Sequence, residues 1–150
     1  MRLRFTFGMM IRWALLPLLL AGCGDYPRDT AGTLDRVRGD SLRIGRASVS
    51  GHPAADRLVR ELGRRTGGNP AIMVGEVEAL LMQLEHGELD LVVGAFDKKT
   101  PWTKRVTFSK PLASAARGDG TEEIKAASRN GEHAWAMEID RAVATIVQAR

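Results

Sequence analysis

A single cysteine in 150 residues, Cys23, excludes an internal disulfide, so stability has to come from a buried core. Long hydrophobic runs are missing too. The run nearest the start, Trp13 to Leu20, is broken by Pro17 and falls well short of the roughly 20 apolar residues that cross a bilayer. The three histidines, His52, His86 and His133, lack the spacing to acids or cysteine that a zinc site of about four ligands requires, so no metal is expected. No serine sits in a G-x-S-x-G turn, and Gly118-Asp119-Gly120 has no phosphate-loop pattern. The acid pairs Glu76/Glu78 and Glu122-Glu123 read as helix starts, where the positive helix end accounts for them. No catalytic constellation and no cofactor motif remain, and an enzyme is not expected.

What is present begins with the cysteine's neighbourhood. Arg2, Arg4 and Arg12 precede the apolar run, and Ala21-Gly22 end it, which is the anatomy of a leader over residues 1–22. The stretch Leu20-Ala21-Gly22-Cys23 resembles a bacterial lipobox. That resemblance implies that Cys23 is acylated, becomes the first residue of the processed chain, and anchors it to a membrane on the extracytoplasmic side. Three of the 22 basic residues and none of the 18 acids precede Cys23, so the remainder carries 19 basic against 18 acidic groups, a net +1. A surface so nearly neutral gives no reason to expect nucleic acid as a partner.

Residues 23–40, polar and without periodicity, read as a flexible tether. From Ser41 the pattern becomes regular. Leu42-Arg43-Ile44-Gly45 reads as a strand, and Ala55, Leu58, Val59 and Leu62 make one face of a helix stopped by Gly67-Gly68. Ala71 to Val74 is a second short strand. Val77, Leu80, Leu81 and Leu84 repeat the helical spacing, with Gly87 at the C-cap. Leu89 to Phe96 is a continuous apolar run, as in a parallel strand covered on both faces. Val106 to Phe108 offers a fourth strand. The order β-α-β-α-β predicts an α/β lobe over residues 41–112 with a parallel sheet. Residues 113–130 are expected to be loop and a short helix beginning at Thr121. An apolar stripe of Trp135, Ile139, Ala142, Val143 and Ile146 predicts a helix within 131–150.

The pieces "LRIG", "LVRELGRR", "EALLMQLEHGELDLVVGAF" and "TPWTKRVTFSKPL" together resemble the first lobe of the family 3 extracellular solute-binding proteins, the amino-acid-type receptors of ABC importers, over roughly residues 42–112. The resemblance implies a small polar, amino-acid-like solute and an ABC permease as partners. It also implies a second lobe, for which only about 20 residues are available between Pro111 and the last helix. The family often places an arginine just after Thr-Pro in the loop after the third strand; here Thr100-Pro101 is followed by Trp102-Thr103, and the nearest arginine is Arg105. Ligands of open parallel sheets lie at the carboxyl ends of the strands. Those ends put forward Ser50, Asp97 and Thr100 as hydrogen-bonding residues and Trp102 as a stacking surface. Asp97 also suits a plain turn. A non-transporting interaction module and a degenerate paralogue are the alternative functions.

Overall fold

The computed structural model describes residues 28–47, 52–117 and 120–149. The predicted leader, Cys23 and Ser50 lie outside them. Strand β1 (Ser41–Ala47) leads to helix α2 (Pro53–Thr66), whose first turn is capped by His52: Nδ1 accepts the Ala54 N–H at 3.1 Å. Pro53 opens that helix where its missing N–H costs nothing. Gly67, at φ 70°, ends it, its N–H donating to the Gly63 carbonyl. Strand β2 (Asn69–Gly75) returns parallel to β1 along its full length. Helix α3 (Val77–His86) closes at Gly87, φ 79°, and β3 (Leu91–Asp97) enters parallel on the other flank of β1.

Two expectations fail here. Residues 113–130 form no helix: β5 (Ala113–Arg117) and β6 (Gly120–Arg129) are paired antiparallel strands. Side chains in β6 alternate, with Glu122, Ile124 and Ala126 buried and Glu123 and Lys125 less so, so the acids that suit a helix start instead sit on a strand. The tether is also shorter than 23–40. Helix α1 (Thr33–Val37) buries Thr33 and Val37, and its N-terminal side is held by Glu132, which accepts the N–H groups of Ala31 and Thr33 at 2.7 and 3.0 Å.

The sheet runs β2-β1-β3-β6-β4, where β4 is Val106–Phe108, and β5 pairs with β6 beside β4. It is therefore mixed: three parallel strands, then β6 antiparallel to β3. The other strands on β6 also run antiparallel to it. Helix α2 and the final helix α4 (His133–Gln148) cover one face, packing Leu58, Leu62, Trp135, Ile139 and Val143 on Leu42, Ile44, Leu91 and Val93. Helix α3 covers the other with Leu80, Leu81 and Leu84 on Val92 and Phe96. Successive residues of β3 thus point into two different cores, which is why its sequence reads as unbroken apolar. The outer edge is less protected: Ile72, Met73 and Val74 of β2 are 48%, 48% and 64% exposed.

Candidate functional site

The carboxyl ends of β1, β2 and β3 lie at one rim of the sheet. Beta-1 delivers Ala47 there, and His52 re-enters at the start of α2. From β3 comes Asp97, exposed, followed by a turn in which the Thr100 N–H donates to the Asp97 carbonyl at 3.2 Å. The Thr100 hydroxyl accepts the Trp102 N–H at 3.4 Å and so caps the 3-10 turn Pro101–Lys104. That cap orders the loop after β3 and leaves the Thr100 side chain already committed to the backbone.

Trp102 does not face this rim as a stacking surface. It is 9% exposed, packed in the core under α3, and the guanidinium of Arg105 covers its ring at 4.4 Å. Arg105 in turn ion-pairs with Glu85 of α3, holding that carboxyl below the ordinary glutamate range. A tryptophan buried in a leucine-rich core and covered by a cation offers little ring surface to a solute. The same contacts take Arg105 away from the rim, so it offers no grip for a solute carboxylate.

Strand β6 adds groups that the sequence reading placed on a helix. Glu122 lies opposite Asp97 in the ladder and is buried. Glu123 binds Lys125 at 2.5 Å and Lys98 at 3.7 Å, and these two cations, Lys125 first, hold its carboxyl below the usual range. At this rim Asp97 and Glu122 are paired on one face of the sheet, while Glu123, on the other face of β6, is met by Lys98 and Lys125. Alternating apolar residues Ile124 and Ala126 were the signal that could have put these acids on a strand. Among the described residues no group of three or more histidine, cysteine or acid side chains is placed to hold a metal, and no helix is long and apolar enough to cross a membrane.

No protein-family model and no curated protein matches the chain. Solved structures do. The arginine-bound form of domain 1 from TmArgBP is 21% identical, with a TM-score of 0.60 over 72% of this chain and 94% of that one. The ancestral amino acid-binding protein AncCDT-1, a precursor of cyclohexadienyl dehydratase, is 13% identical with a TM-score of 0.65, covering 77% and 93%. A Salmonella typhimurium periplasmic binding protein of high arginine specificity is 10% identical with a TM-score of 0.56, covering 73% and 94%. With its mixed sheet between α2/α4 and α3, the chain has the fold of one lobe of the periplasmic amino-acid-binding proteins.

Proposed function

We propose that this chain is a solute-binding lobe, held on the extracytoplasmic side of a membrane by an acylated Cys23, that takes a small amino-acid-like solute in association with an ABC-type importer. The observation that carries the reading is the rim itself: a fold shared with amino-acid-binding domains presents, at the open strand ends, Asp97 and the charged groups of β6. Two-lobed receptors of the family close on their ligand. Here β5 and β6 are hydrogen-bonded to each other from Ala113↔Ile124 out to Arg117↔Gly120, beyond the last pairing of β3 with β6. In this reading the β5–β6 hairpin stands in place of a second lobe, and the solute is held from one side. That hairpin also favours a second reading, a lobe that meets another protein or a second copy instead of carrying solute.

One jaw makes fewer contacts to offset the solute's lost freedom, so the expected affinity is about millimolar, or about −4 kcal/mol. Calorimetry with arginine, other amino acids and polyamines tests this. Asp97→Ala should weaken binding, whereas Trp102→Ala should lower the melting temperature without a specific effect on the solute. Micromolar binding by the monomer, or binding indifferent to Asp97, would refute the one-sided site.

A further inference from the structure

At the opposite end of the sheet, where β1 and β3 begin and β6 ends, is a cavity of about 190 Å³ whose wall includes Arg36, Arg43, Arg129, Asp90 and Glu132. Both carboxylates are 1% exposed, and both are already occupied. Asp90 accepts the Arg43 backbone N–H at 2.9 Å, its Nε at 3.2 Å and its Nη2 at 2.7 Å, and also Nη2 of Arg36. Glu132 accepts the N–H groups of Ala31 and Thr33 and faces Nη2 of Arg129 at 3.5 Å. Each guanidinium carries five N–H donors and no acceptor. Two spent carboxylates against three guanidiniums leave donors in excess and a charge of +1.

A cavity that offers donors and positive charge selects an acceptor with negative charge. Its size decides further, because pockets for drug-sized ligands run about 300–1,000 Å³. This one suits a small oxyanion, for which the planar fork of arginine is the matched partner. We propose that the cavity binds a phosphate-type oxyanion, a site separate from the solute rim and independent of it. Two sources have this chemistry: free phosphate and the phosphate of a lipid headgroup. Ala31 lines the cavity eight residues after Cys23, a length of chain that spans at most about 29 Å. An acylated Cys23 would keep the cavity within reach of headgroups.

The test uses the full chain in a phosphate-free non-ionic detergent, with inorganic phosphate as the probe. Calorimetry should give saturable binding in the millimolar range. Arg36→Gln, which leaves Asp90 its two-point clamp from Arg43, and Arg129→Gln should each weaken binding about tenfold or more. Arg57→Gln, on the exposed side of α2, should not. Thermal melting of the unaltered chain in phosphate against sodium chloride of equal ionic strength provides a check that needs no variant, since a ligand that binds only the folded state raises the melting point. Repeating the titration in phosphatidylglycerol nanodiscs separates the sources: phosphate affinity reduced about tenfold means that headgroups occupy the site, and unchanged affinity means that free oxyanion does. No phosphate-specific rise in melting temperature, or equal binding by all three variants and the unaltered chain, would overturn the proposal.

Discussion

Gly45 of β1 lies under Leu80 of α3, Leu89 of the following loop and Val92 of β3. A Cβ placed there would lie 2.8 Å from Leu89 Cδ1 and 3.1 Å from both Leu80 Cδ2 and Val92 Cγ2. Three side chains close around one hydrogen, so Gly45→Ala cannot be absorbed by turning a single rotamer. Overpacking of this kind costs about 1–3 kcal/mol. Alanine recovers about 0.5–1 kcal/mol because glycine loses more freedom in a strand. The expected net loss is about 0.5–2 kcal/mol. Leu89, 5% exposed, gives the internal control. Leu89→Ala alone should cost about 2–5 kcal/mol by opening a cavity. Combined with Gly45→Ala, the new methyl enters that cavity, and the double variant should be more stable than the sum of the singles by about 1 kcal/mol, within the range seen for touching residues. Urea unfolding followed by the fluorescence of buried Trp102 and Trp135 measures all four proteins. A Gly45→Ala protein as stable as the unaltered chain, or a strictly additive cycle, would show that Gly45 and Leu89 are not packed at this distance.

Glu132 ties α1 to the start of α4. Burial pushes its carboxyl up, but the Thr33 hydroxyl, the N–H groups of Ala31 and Thr33, and Arg129 outweigh that and hold it below the ordinary glutamate value. The stabilisation is therefore complete above the unfolded-state value of about 4.3 and is lost as the pH falls through the lower folded value. Glu132→Gln should lose about 1–3 kcal/mol at neutral pH and show a flatter acid dependence in urea unfolding; identical acid limbs would refute the assignment. For the anchor, growing cells fed a palmitate analogue should label the unaltered protein and leave Cys23→Ala unlabelled, and equal labelling would exclude acylation at that residue.

The first two-thirds of the fold was legible because its elements announce themselves locally. Ala55, Leu58, Val59 and Leu62 mark a face at helical spacing, Gly67 and Gly87 take the left-handed caps that end α2 and α3, and Leu91 to Val93 read as a strand with two covered faces. Residues 113–130 were not legible in the same way. Thr121-Glu122-Glu123 satisfies every local criterion for a helix start, and only long-range pairing with β3, β4 and β5 makes the segment a strand. Alternation at Ile124-Lys125-Ala126 was the available signal. Helix α1, at five residues, is too short for a periodic stripe, and its place is set by Glu132 about a hundred residues away. At the rim, the place of Asp97 at the end of β3 was legible, because the apolar run stops at that residue. Trp102 misled, because an aromatic in a loop looks the same in sequence whether its ring meets a solute or, as here, leucines and Arg105.

The most direct test of a one-sided solute site is a map of where the solute lands. In ¹H–¹⁵N spectra of the labelled full chain titrated with arginine, the shifts should concentrate at Ala47, Ser50, His52 and Asp97 to Thr100, saturating at a millimolar midpoint. Shifts gathered instead at Arg36, Arg43 and Arg129, or on β2 and the outer surfaces of α2 and α4, would contradict the assignment of the strand ends as the binding surface.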